Sequence, residues 1–96
     1  MNKNRRKEIL SIIKKVEEIV SSAQSKLETV KEELDCVLGD EQNYLDMIPE
    51  NLQGSERYEI AEQAVENLDN AMSAFEELID SMDTEELIGY LNDAME

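Results

Sequence analysis

Histidine and tryptophan are absent from this chain of 96 residues, and cysteine and proline occur once each. Without an imidazole, the usual Cys/His zinc sites and every histidine-based acid–base or nucleophilic mechanism are excluded. The single cysteine, Cys36, closes no intramolecular disulfide, which fits a reducing compartment. Its place one residue before an apolar seam predicts a half-buried apolar role rather than a reactive thiol. Three glycines, at 39, 54 and 89, are too scattered for a phosphate-binding loop. With only four aromatic residues, they also argue against an all-β fold and its tight turns. The stretch Ile9–Ile13 is too short for a signal peptide or membrane span, so a soluble cytoplasmic protein is expected.

Basic residues are scarce as well: nine, against twenty-four acidic ones, for a net charge of −15. Six of the nine (Lys3, Arg5, Arg6, Lys7, Lys14, Lys15) lie in the first fifteen residues, with Glu8 the one acid among them. The remainder is overwhelmingly acidic, which disfavours direct binding to nucleic acid or an anionic membrane and favours a basic protein partner.

What is present is helical periodicity. Ile9, Ile13, Val16, Val20, Ala23, Leu27, Val30, Leu34 and Val37 follow 4-3 spacing, and so do Tyr58, Ala61, Val65, Leu68, Met72, Phe75, Ile79 and Met82. Apolar residues every 3.5 positions form a seam that needs a partner helix. The chain reads as a single all-α domain: a helix over about 3–48, a turn over 49–55, a helix over about 56–82 and a C-terminal helical segment over about 84–95. Pro49 disfavours helical geometry before it, and Ser55 is placed to cap the second helix. Asp83-Thr84-Glu85-Glu86 resembles a capping box. Glu41 falls on a seam position, so the phase is expected to slip over 38–45. Gly39 costs about 1 kcal/mol relative to alanine inside a helix, and the helix either runs through it or bends there.

Arms of equal length suggest a long antiparallel, coiled-coil-like hairpin. It would lay the basic start beside the acidic tail and offset the poor placement of cations at a helix N-terminus. Leu10, Ile12 and Ile19, with Leu78, Leu87, Tyr90 and Leu91, widen the apolar stripe beyond a single seam. Either the last segment folds back as a short third helix, or two hairpins dimerise into a helical bundle. The dimer is the favoured expectation.

No nucleophile–base arrangement, calcium-loop pattern or metal-ligating motif is visible, so no enzyme activity, cofactor or metal is expected. One acidic pattern is ordered: Glu59, Glu62, Glu66, Asp69, Glu76, Asp80 and Asp83 make a rail along the second helix. Its charges are spaced about 5 Å apart along the axis, on the scale of a phosphate backbone. The plainer reading is a solvated face beside a seam, although such faces ordinarily mix Glu with Lys. Tyr44 and Tyr58, near the turn, are the candidate exposed aromatic anchors. Arg5, Arg6, Lys7, Lys14 and Lys15 have three readings: pairing with the acidic tail, an amphipathic membrane contact, or an anion site for a small phosphate-bearing ligand.

The segment MIPENLQGSERYEIAEQAVENLDNAMSAFEEL, residues 47–78, with the opening MNKNRRKEI, resembles a group of short, acidic, uncharacterised helical proteins of phages and prophages of gut and other Gram-positive bacteria. The proline-to-serine turn is the specific part of the match. The resemblance brings no catalytic residues. It implies a phage setting inside a bacterial host, where small acidic proteins often block host defence or nucleic-acid enzymes. The function expected is an anti-defence, anti-CRISPR-like inhibitor that binds a basic nucleic-acid-handling protein through its acidic face. The alternatives are a structural coiled coil whose self-association is its function, and a nucleotide-sequestering bundle that uses the basic end.

Overall fold

The computed structural model describes residues 1–96 and is all-helical. Helix α1 spans Lys3–Asp46, a single 3-10 turn covers Glu50–Leu52, α2 spans Glu56–Asp80 and α3 spans Glu85–Ala94. Each long helix starts at a side-chain cap, which satisfies one of the free amides of the first turn. Asn2 Oδ1 accepts from the Arg5 N–H at 2.8 Å. Ser55 Oγ accepts from the Tyr58 N–H at 3.3 Å and donates to the Leu52 carbonyl at 2.6 Å, so one hydroxyl ties the turn to α2. At α3 the cap comes from Asp83, the first residue of the expected capping box, while the Thr84 side chain makes no cap bond. Asp83 Oδ1 accepts from the Glu85 N–H at 2.9 Å. Helix α1 runs through Gly39 without a break.

The return arm lies antiparallel to α1 along its whole length. Arg57 meets Tyr44, Glu76 meets Lys31, the Gln24 amide reaches the Ile79 carbonyl, and Arg6 reaches the Met95 carbonyl. This constant register makes α3 an extension of the return arm along α1, after a break at 81–84, rather than a third layer. The result is a thin plank of 76 × 18 × 12 Å.

Two helices side by side enclose little. Only Ile13, Leu45, Ile48, Ala61, Val65 and Ile79 are buried, and four of these cluster at the hairpin tip, with Leu38 and Tyr58 packed against them. The seam of the return arm turns inward from Tyr58 to Met82. The α1 seam does not keep its heptad: Val30 and Val37 are 47% and 53% exposed, and Lys31 and Leu38 take the inner positions. At about 100° per residue, an unsupercoiled helix turns Val30 about 60° away from the direction of Ile9, while Lys31 lies about 40° off and Leu38 about 20°. The phase therefore changes near Gln24–Lys31, earlier than the 38–45 expected from Glu41.

Candidate functional site

The positions of the exposed side chains divide the plank into two unlike broad sides. Shallow grooves between the arms show which residues share a side. One groove is lined by Glu28, Lys31, Glu32, Asp35, Met72 and Glu76, and another joins Glu17, Ser21 and Gln24 to Asp80 and Asp83. Acids of α1 and the rail acids of α2 therefore share one side. The opposite side holds a groove where Tyr44 and Glu41 meet Glu56, Arg57, Ile60 and Ala61.

That opposite side is the apolar one. Ile12, Ile19, Val30, Val37 and Tyr44 are separated by steps of seven and eleven residues, which keeps them within about 40° of one another around α1. All five are exposed. On α2, Ile60 and Leu78 stand eighteen residues, or about five turns, apart and are 61% and 50% exposed. Between them this flank carries Ala64, Asn67, Ala71 and Ala74 and no charged residue. After the break at 81–84, α3 has its own phase. Counted from its half-buried Ile88 and Leu91, Leu87 falls on this flank and Tyr90, 68% exposed, lies farther round toward the back.

Every residue of the acidic rail, Glu59, Glu62, Glu66, Asp69, Glu76, Asp80 and Asp83, is exposed. Two have duties within the fold. Asp83 caps α3, and Glu76 forms the chain's one ion pair, with Lys31 Nζ at 2.7 Å. The Lys31 ammonium, by hydrogen bond and then by charge, holds the Glu76 carboxyl below its ordinary value. Reciprocally, the hydrogen bond that Lys31 donates to Glu76 raises Lys31, partial burial opposes this, and the charges of Glu76, Glu28 and Asp80 add to it. Glu59, Glu62, Glu66, Asp69 and Asp80 make no ion pair.

The aromatic anchors separate. Tyr44 is exposed and engaged: the Arg57 guanidinium lies 5.4 Å from its ring centroid and Nε donates to its hydroxyl. Tyr58, expected to be exposed, is half-buried against the tip cluster, because it occupies the first seam position of α2. The most exposed tyrosine is Tyr90, which the sequence marks only as part of the widened apolar stripe and not as an anchor; its offset of two from Ile88 is the signal that it faces outward. Cys36, expected to be half-buried, is exposed on the back of α1, since one step from an already drifting seam turns a side chain fully outward.

The basic start is not gathered into a site. Arg5, Arg6, Lys7, Lys14 and Lys15 are all exposed and point around the full circumference of α1, and no groove is lined by any of them. The expected pairing with the acidic tail is not made as ion pairs; Arg6 Nε instead donates to the Met95 carbonyl at 3.1 Å. Exposed pairs of long side chains gain little in water, whereas a guanidinium at the C-terminal carbonyls of α3 complements that helix's dipole.

No three carboxylate or thiol side chains converge as metal ligands would. No helix is long and apolar enough to cross a membrane. No protein-family model, curated protein or solved structure matches this chain.

Proposed function

We propose that this chain is a non-enzymatic interaction module that presents its acidic side to a basic protein and pairs with a second hairpin through its apolar side. The observation that carries the reading is an uneven division of the two sides. The rail acids of α2 and the α1 acids beside them share one broad side, while most exposed apolar residues of both arms lie on the other. Glu18, Glu41 and Glu56 are acidic exceptions there, and Leu10 is the apolar exception on the acidic side. A scattered acidic surface would serve solubility equally well; a one-sided one creates a continuous negative field able to steer a basic partner. Glu59, Glu62, Glu66, Asp69 and Asp80 supply the unpaired charge, and Tyr44 with Arg57 marks the tip. The resemblance to short acidic phage proteins supports an anti-defence role in the bacterial cytoplasm, against an enzyme whose groove ordinarily takes nucleic acid.

The test is capture from bacterial lysate by the wild-type chain and by Glu62→Lys/Glu66→Lys/Asp69→Lys. The reading predicts a basic nucleic-acid-binding protein held at low salt, released by competing DNA or high salt, and lost with the triple reversal. Unchanged capture and unchanged salt dependence in the reversed chain would overturn it. The exposed apolar side favours a second reading, in which self-association is the whole function. In that case apolar-side substitutions abolish activity and rail reversals are tolerated.

A further inference from the structure

We infer that the apolar side is covered by a second copy lying antiparallel, with a two-fold axis crossing the plank at the level of Glu28 and Phe75. This rests on the pairing proposed above and adds the register, the orientation and the residues in contact.

Three observations select this arrangement. The first is area. From Ile12 to Tyr44 the apolar side runs about 48 Å, and across an 18 Å plank this is on the order of 800 Å² per copy, the size of a standard stable interface.

The second is the spacing of the exposed residues. A two-fold at Glu28 sets Ile12 level with Tyr44 of the second copy and Ile19 level with Val37. On the return arm, the same axis passes through Phe75 because of the hairpin register. It sets Tyr90 level with Ile60 and brings Leu87 within one residue of the level of Ala64 and Leu78 within one residue of that of Ala71. On the return arm Leu87 and Leu78 thus meet alanines, and on α1 the large apolar residues meet one another, so exposed apolar surface is covered on both arms.

The third is charge. Along the margin of this side, α1 carries Lys15 and Lys26, with Glu8 and Glu18, toward the open end and only acids, Glu33 and Glu41, toward the tip. The antiparallel axis brings Lys15 level with Glu41 of the second copy and Lys26 within a turn of Glu33. A two-fold along the plank's length would instead set the two acidic tips, with Asp40, Glu41, Glu56 and Glu59, against each other. Like charges so placed repel. In the antiparallel bundle the two acidic sides face outward in opposite directions, so each dimer offers two equivalent surfaces to basic partners.

The experiment combines solution mass with one distance. The chain carries a spin label at Ser11→Cys, on the back of α1, with the exposed Cys36 replaced by serine. The expected result is a mass twice 11.0 kDa and a label separation of about 50 Å, thirty-four residues of helix rise. Ile19→Asp/Val37→Asp, both exposed in the single chain, should halve the mass and keep full helicity. A dimer with labels closer than about 25 Å, little more than two helix diameters, overturns the antiparallel register while pairing itself stands. A wild-type monomer at high concentration overturns both, and leaves the acidic-side reading to its own salt test.

Discussion

The tip and the open end of the hairpin are built from the same two helices, yet they are held by different means. At the tip, Leu45, Ile48, Ala61 and Val65 close into a buried cluster because the connection adds Ile48 to the residues of the two helices, with Pro49 and the Ser55 cap fixing its path. At the open end, Ile13 is buried but Ile12, Ile19, Leu87 and Tyr90 face outward, and only the one-sided line of α3 lies alongside. A two-helix layer becomes self-sufficient only where something folds over it. Elsewhere its wide stripe is surface waiting for another helix.

The sharpest way to break that comparison is to cut the same amount of side chain from each end. Leu45→Ala should cost about 2–4 kcal/mol and lower Tm by more than about 10 °C, because it empties a closed cluster. Ile12→Ala should cost less than about 0.5 kcal/mol when measured in a monomeric chain, because Ile12 is already in water. Equal losses by chemical denaturation would show that the ends do not differ. Amide exchange offers a second view: α3 amides should exchange well before those near Ala61 and Val65, since short segments with few buried contacts open first.

Between the two ends the expected effects are smaller. Gly39→Ala should stabilise by about 1 kcal/mol, raising Tm by roughly 4–8 °C. Nothing lies within 4 Å of the added methyl, and α1 is already continuous there. A decrease would mean that the helix bends at Gly39 in solution.

The smallest effect belongs to Lys31 and Glu76. Glu76 is shifted below 4.5, so its contribution is present above that pH and disappears as pH falls through the lowered value. Lys31 is shifted above 10.5, so its contribution is present below that pH and disappears as pH rises through the raised value. Glu76→Gln should therefore lower Tm slightly at pH 7, and the difference should shrink as pH falls below 4.5 and through the lowered value. The change should be modest, since the carboxylate is 64% exposed and pairs of this kind are weak in water.

Much of the helical architecture was readable because it rests on local rules. Pro49, Ser55 and the 4-3 spacing act within a few residues of where they stand. The acidic rail was readable for the same reason, as a periodicity of one helix. The misreadings all concern what lies across from a residue. Val30 and Val37 were placed inside by extending a heptad that α1 does not follow, and Lys31 was not placed inside at all. Tyr58 belongs to a cluster assembled from residues far apart in sequence. Glu76 left the free rail because Lys31, forty-five residues away, reached it.

Composition and spacing alone require that this chain be helical, acidic and incapable of imidazole chemistry, because those properties follow from which residues are present and how they repeat along one strand of backbone. Which flank of each arm lies beside which became definite only when α1 and the return arm paired. The azimuth of one helix about its axis is set by its neighbour. Only that pairing turned two separate stripes, one charged and one apolar, into the two opposite sides of a plank.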